Sequence, residues 1–503
     1  MKVHIISKVT ILALLFAFVG CENQEETYSK WAGNGKKRYV GKCESFSVQA
    51  GWERFVFNWT ISPDQTIKNV RISWSSNDGE DSVVVPAGDG TYTTPATFKN
   101  LSYNFECRAM DDEGNVSLPL VQYGRPFSHT HNAVTSFTKT VSKWFFVGTD
   151  VVLFLDPMMT NVTGSTLSYT QGGVAKTVDL LGDAAIENGT FLRLSGVDAG
   201  TPLVINRSAE LEGCIDPVVF EPFTIDRSYV LMNFDFQQQV MNRYNLRKIT
   251  PEFIASQQTL ELDYTLTSLE DILYFPALRE VILGGNRFMV GTATNTKFST
   301  LTDLDKSIYA LEAMHDIVGL DVSIYNNHFG LNANLPFATA KSGNPALPTL
   351  GYLPMTGWTI THANPTYGGV PTNLLDNNPN THFIAAQVDA TAIRTHEITI
   401  DMKSIQEIKG FRVTQPRQAD MFSIVETMFP DIIRIDVSPD GFQWLPAFHE
   451  TLQRIGNNRE ESTVLYMPET LEARYVKITL SDKLFLQFGS PFYTTALGDF
   501  MVF

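Results

Sequence analysis

Ile433-Arg434-Ile435-Asp436-Val437-Ser438-Pro439-Asp440-Gly441-Phe442-Gln443-Trp444 alternates apolar and polar residues and then turns. In an extended chain successive side chains point to opposite faces, so Ile433, Ile435 and Val437 share one face. That face is built for a core and the other for solvent, which is how a half-buried antiparallel strand reads. Pro439-Asp440-Gly441 ends the run, because proline cannot donate to a ladder and Asp-Gly favours a tight turn. The same period returns in Glu472-Ala473-Arg474-Tyr475-Val476-Lys477-Ile478, where Val476 and Ile478 oppose Tyr475 and Lys477, and the last third of the chain reads as a β-sandwich.

Outward from these strands, Gly357-Trp358-Thr359-Ile360 opens the region and Asp499-Phe500-Met501-Val502-Phe503 closes it. Between them lie Glu397-Ile398-Thr399-Ile400-Asp401-Met402 and the loop Asn373-Leu374-Leu375-Asp376-Asn377-Asn378-Pro379-Asn380-Thr381-His382-Phe383. In this order the elements resemble a discoidin domain, also called the coagulation factor five/eight type C domain, whose relatives include many carbohydrate-binding modules. The resemblance implies a jelly-roll of two antiparallel sheets over residues 350–503, and a glycan as partner.

Sugar recognition combines an aromatic face stacked on a pyranose with planar polar groups that chelate its hydroxyls. In this family those groups sit on loops at one end of the sandwich. The corresponding loops here carry His382 and Gln387; Gln415, Arg417 and Phe422; and Asn457, Asn458 and Arg459. Arg417 with Phe422 is the leading expectation, because an aromatic in a polar loop is hard to explain as core. For each residue singly, a surface or packing role stands beside ligand contact. The loop from Leu375 to Thr381 is rich in side-chain oxygens, and Ca²⁺ takes about six to eight of them. Many relatives hold a structural calcium there, which by position implies Asn378, Thr381 and Asp499 as its ligands. Asn377 and Asn378 replace the family's Gly and Asp and remove a negative charge, so a metal-free loop held by Asx turns stands as the alternative.

Residues 227–349 form a bridging segment of mixed α/β character. Thr267 to Asn286 has the leucine spacing and terminal Asn of one leucine-rich repeat, and Ile308 to His315 reads as helix. A single repeat cannot bury its own apolar face, so it is expected to pack on its neighbours and brace the two ends of the protein. Upstream, Phe55-Val56-Phe57-Asn58-Trp59, Val70-Arg71-Ile72-Ser73-Trp74 and Tyr103-Asn104-Phe105-Glu106-Cys107 alternate between turn signals such as Asn77-Asp78-Gly79. Over residues 45–127 this resembles a fibronectin type III sandwich, and the alternation places Trp59 and Trp74 in its core. A second, less regular copy follows over 128–226. The tandem pair resembles an N-terminal family of unknown function found in surface lipoproteins. The class expected for the whole chain is therefore mainly β.

At the start, Lys2 and Lys8 precede the apolar run Val9 to Val19 and then Gly20-Cys21. A charged start, a short apolar core and a small residue describe an export leader over residues 1–20. The Cys makes it resemble a lipoprotein signal, with Cys21 lipidated and 21–44 a tether; an ordinary signal with an incidental Cys is the alternative. The acidic residues after Cys21 resemble outward-sorting signals, so the expected location is the outer face of an outer membrane.

The formal charge of −16 repels nucleic acid and anionic lipid, and is indifferent to neutral sugars. Cys43, Cys107 and Cys214 follow the anchor; Cys43 and Cys107 pair, or all three are buried thiols. Enzyme motifs are missing: no Gly-rich phosphate loop, no His-Glu-x-x-His and no nucleophile elbow. His129-x-His131 has no evident third ligand. The expectation is a non-catalytic surface glycan-binding lipoprotein of a polysaccharide-utilisation system. Its rival is a structural accessory subunit of an outer-membrane nutrient importer complex, without a sugar site of its own.

Overall fold

A computed structural model describes residues 39–503 apart from 137–139, 158–160, 291–296, 332–334, 379, 389–392, 418–425, 431, 448–452 and 488–489. The leader, Cys21 and most of the tether lie outside the described residues.

Strands β1 to β7 (Cys43–Ala50, Phe55–Ile61, Asn69–Ser76, Gly79–Pro86, Thr91–Thr93, Tyr103–Met110 and Leu120–Gly124) form two sheets, β1-β2-β5 and β4-β3-β6-β7. Alternation decides what lies between them. Phe55, Phe57 and Trp59 from β2 meet Val70 and Ile72 from β3 and Phe105 and Cys107 from β6, all buried. Trp59 keeps its indole N–H satisfied by donating to the Ala87 carbonyl at 3.0 Å. Trp74 packs against this core but is only partly buried.

Strands β8 to β16 (Val141–Val147, Asp150–Leu155, Val162–Gln171, Val174–Asp179, Ile186–Glu187, Phe191–Leu194, Val204–Ala209, Val218–Val219 and Phe223–Thr224) build the second sandwich. Its sheets run β12-β13-β9-β8 and β11-β10-β14-β15, with β16 also paired to β14. Every residue of β9 is buried, and the cause is packing on both faces. Val151, Leu153 and Leu155 enter the sandwich core, while Val152 and Phe154 enter the core of the bridging segment.

That segment is a four-strand parallel ladder, β17-β18-β19-β20 (Thr259–Leu262, Glu280–Leu283, Asp321–Tyr325 and Thr339–Lys341). The single leucine-rich element expected from sequence is thus one rung of several. The neighbouring rungs expose their apolar residues only as short pairs, Leu260 with Leu262 and Val322 with Ile324, which carry too little periodicity to read. The expected helix runs Leu304–Val318: the Asp303 carboxylate caps it by accepting from Lys306 N at 3.1 Å, and Gly319 ends it at φ 70°. Lys143 of β8 reaches into this unit and pairs with Glu270 at 2.9 Å and with Asp271.

The last region contains β21 to β31 (Thr359–His362, Phe383–Ile384, Thr395–Thr414, Ile432–Ser438, Leu445–Pro446, Gln453–Arg454, Ser462–Ser481, Lys483–Gln487, Ser490–Thr494, Ala496–Leu497 and Asp499–Val502). Its main sheet is β21-β23-β27-β24-β25, with β31 on β23 and β26 on β24. As the alternation requires, Ile433, Ile435, Val437, Val476 and Ile478 all lie in one core. The β23–β27 pairing is interrupted between Asp401 and Gln406, where Lys403 takes φ 72°, and such a bulge bends a strand. Tyr493 bonds to Val388, Ala385 N donates to the Thr495 carbonyl, and Gly498 N donates to the Thr414 carbonyl. This return segment draws both ends of β23 to one rim. The whole chain is mainly β, with sandwich sheets and a discoidin-type end.

Candidate functional site

The rim is where the expected sugar contacts gather, and the structure gives them different work. Arg417 follows β23 and is half exposed, its Nε 3.3 Å from Glu460 Oε1. Gln415, two residues earlier, is buried, and its amide N–H₂ donates to the carbonyls of Pro430 at 2.7 Å and Gly456 at 2.6 Å. Those bonds tie the two ends of the loop between β23 and β24 to the turn before β27. Phe422 falls outside the described residues.

Asn457 and Asn458 start the turn before β27, and Glu461 organises it. The Glu461 carboxylate accepts from the main-chain N–H groups of Asn457 at 3.0 Å and Asn458 at 2.9 Å, and from the Asn458 amide at 2.8 Å. Asn458 is buried; its side-chain oxygen accepts from Lys297 N at 2.6 Å and its amide also donates to the Lys297 carbonyl at 3.2 Å. Asn457 is only partly enclosed. Arg459 donates to Glu426 at 2.8 Å, and Lys297 stands 3.8 Å from the same carboxylate. Gln415 and Asn458 therefore serve as braces, while Arg417 and Asn457 stay at the surface. For Asn458 the reason is the bridging segment, which lies against this end: Arg287 ion-pairs with Glu461, and the Asn286 amide donates to the Val464 carbonyl at 3.1 Å. Sequence reading had no means of placing Asn286, Arg287 or Lys297 there, because they come from more than 100 residues upstream.

His382 and Gln387 sit on the adjoining loop, both half-buried. The His382 carbonyl accepts from Asn373 Nδ2 at 2.8 Å, and burial pushes the imidazole's pKa down. The neutral ring favoured at pH 7 offers one donor and one acceptor to hydroxyl groups. Its Nδ1 is buried and has no hydrogen-bond partner among the described residues.

Behind the rim lies a buried relay that sequence reading missed. His396 is fully buried; its Nε2 stands 2.8 Å from Asp482 Oδ1 and its Nδ1 3.2 Å from His362 Nε2. Arg394 grips the same carboxylate with Nε at 2.7 Å and Nη2 at 3.1 Å. Burial alone would raise the Asp482 pKa, but these bonds outweigh it and take it down to about 2. The group holds the start of β23 to the end of β27.

At the expected metal loop, Asp376 accepts from Asn378 N at 2.9 Å and from Thr381 Oγ1 at 2.6 Å, and Asn380 N donates to Asn378 Oδ1 at 3.2 Å. These are Asx turns. Asp499 is buried beside them, its Oδ1 without a hydrogen-bond partner, and desolvation raises its pKa to about 6. An orphaned carboxylate oxygen next to Asp376, the Asn378 carbonyl and the Thr381 hydroxyl is a donor set suited to a hard cation. Among the described residues no cluster of three or more His, Cys, Asp or Glu has metal-binding geometry.

Residues 359–485 match the F5/8 type C domain, and residues 21–187 match a domain of unknown function. No curated protein matches the sequence. Among solved structures, a Clostridium perfringens module in complex with GalNAc-β-1,3-galactose is 15% identical, covering 30% of this chain and 99% of its own, with a TM-score of 0.24. The family 32 carbohydrate-binding module of C. perfringens NanJ in complex with galactose is 12% identical over 30% of this chain and 96% of its own, at 0.23. The C-terminal domain of a chitobiase from Bacteroides fragilis is 20% identical over 30% and 96%, also at 0.23. The C-terminal sandwich whose loops carry His382, Arg417 and Asn457 is an F5/8 type C domain.

Proposed function

We propose that this chain is a non-catalytic, cell-surface glycan-binding lipoprotein, anchored through Cys21 to an outer membrane and serving a polysaccharide-utilisation system. The observation that carries the reading is the rim of the F5/8 type C domain. There a half-exposed Arg417 and a partly exposed Asn457 stand on loops pinned by Gln415 and Asn458, and the loop of the His382 imidazole is held by Asn373. Pinned loops hold polar groups in place before a sugar arrives, which lowers the ordering cost of binding. Each contact is weak, and many copies on one surface raise the avidity. A Ca²⁺ held by Asp376, Asn378, Thr381 and Asp499 would stiffen the neighbouring loop.

The test is affinity electrophoresis and glycan-array binding of the chain lacking residues 1–21. Saturable binding that falls at least about tenfold in Arg417→Ala and Phe422→Ala supports the proposal. One observation favours a second reading, that of an accessory subunit of an importer complex: the bridging segment already occupies part of the rim through Arg287 and Lys297. Silence on the array together with co-purification of an outer-membrane importer decides for that reading.

A further inference from the structure

The first sandwich carries a second concave surface, 300 residues from the rim in sequence. The register across β4-β3-β6-β7 sets Glu80, Ser75, Asn104 and Tyr123 side by side in one row on the face turned away from the core. Beside this row opens a cavity of about 570 Å³, lined by Ser75, Asn77, Ser102, Asn104, Tyr123 and Arg125 among others. A polar outer face is the ordinary state of a sandwich sheet, and serines on it need no explanation. Three features do need one.

Tyr123 is 77% exposed on β7, where a large ring buries almost nothing of its own surface. Directly opposite it in the ladder, Asn104 keeps its side-chain Oδ1 buried with no hydrogen-bond partner among the described residues. Asn104 is only partly buried and lines the cavity, so a small turn of its amide presents that unpaired acceptor to a hydroxyl. Arg125 donates from Nε to Asn100 Oδ1 at 2.7 Å, which fixes the plane of the guanidinium at the cavity wall. No carboxylate lines this cavity, although the chain carries 54 acidic residues against 38 basic ones. A neighbouring cavity shares Ser75 and Asn104 and is lined by Arg71, Glu80, Asp81 and Glu106, so the concavity continues across the sheet as a groove whose far half is acidic.

We propose that this groove is a second saccharide-binding site, in which a pyranose stacks on Tyr123 while Asn104 and Arg125 hold its hydroxyls. An exposed aromatic face, a planar amide and a fixed guanidinium are the groups that sugar recognition requires. The site is independent of the rim on the F5/8 type C domain. If the same polymer reached both, the chain would hold one glycan at two points along its length.

The test uses the chain lacking residues 1–21 in an Arg417→Ala, Phe422→Ala background, so that the rim is silenced and its failure is read separately. Isothermal titration is run against galacto-, gluco-, xylo- and manno-oligosaccharides and against oligogalacturonate. Binding to at least one probe is expected to remain, to fall at least tenfold in Tyr123→Ala and in Asn104→Ala, and to survive in Tyr123→Phe, which keeps the stacking face. Retention of the parent thermal midpoint in each variant excludes misfolding as the cause. Preference for oligogalacturonate assigns Arg125 to a sugar carboxylate, and preference for a neutral probe assigns it to hydroxyls. No binding in the double-variant background, or binding that Tyr123→Ala leaves unchanged, overturns the proposal.

Discussion

Glu461 is the best place to test whether the bridging segment and the F5/8 type C domain are one structure. Its carboxylate is fully buried and accepts from Arg287 Nε and Nη2, from Asn457 N, and from Asn458 N and Nδ2. Replacing it with leucine leaves the Arg287 guanidinium, itself 3% exposed, without its paired carboxylate in the seam. Removing one partner of a buried pair costs about 3–5 kcal/mol, most of it from the stranded charge. Glu461→Leu is therefore expected to weaken the C-terminal region by about that amount, and Arg287→Met alone by a similar amount. Restoring apolar balance in Arg287→Met/Glu461→Leu should cost clearly less than the sum of the two. A chain with several cores need not unfold in one step, so the readout is native-state hydrogen exchange at amides of β27 and of β17 to β19 rather than a single melting curve. Loosening of both regions in Glu461→Leu is the expected result. A change below about 1 kcal/mol, or one confined to the turn at Asn457, would refute the reasoning.

Asp482→Asn removes a carboxylate held at about pKa 2 against an ordinary 3.8. A depressed acid adds stability above its unfolded pKa and loses it as pH falls through the folded one, so the variant should lose about 2 kcal/mol at pH 7. That deficit should shrink between pH 4 and pH 2; a deficit equal at both ends would discount the relay. Cys43 Sγ and Cys107 Sγ lie 3.6 Å apart as free thiols in the first sandwich core, and the export proposed above would place them where oxidation joins them. Closing a loop of this length is worth about 4 kcal/mol. Non-reducing peptide mapping should recover the Cys43–Cys107 pair, and alkylation of both thiols in unreduced, denatured protein would speak against it. For the metal loop, Ca²⁺ at about 100 times its dissociation constant should stabilise the chain by about 2.7 kcal/mol, and Asp499→Asn should abolish the effect. A melting profile indifferent to both Ca²⁺ and a chelator would exclude the site.

Strands with alternating apolar and polar residues were readable, because Ile433, Ile435 and Val437 or Phe55, Phe57 and Trp59 announce their core by alternation alone, although Asp436 and Ser438 on the polar face of the first are buried too. β9 reads only as an apolar run, since burial on both faces erases the period. The parallel ladder hid for a related reason: its rungs are three to five residues long and distant in sequence, so only the one with full leucine spacing stood out. At the rim, spacing located the loops but not the fate of their side chains. Gln415 and Arg417 are two residues apart, and the first turns inward as a brace while the second stays at the surface. What separates them is that Gln415 finds the Pro430 and Gly456 carbonyls within its own domain, while Asn458 is enclosed by the docking of Arg287 and Lys297 from another part of the chain. Asn104 and Tyr123 escaped notice because each belongs to an ordinary strand, and only the ladder makes them neighbours.

The twofold burial of β9 and its sheet has a mechanical corollary. A fragment cut near residue 227 would lay bare Phe145, Val152 and Phe154 on one piece and the leucines of the ladder on the other. Two greasy walls made for each other would meet water instead. The second sandwich and the ladder are thus a welded girder with no elbow between them.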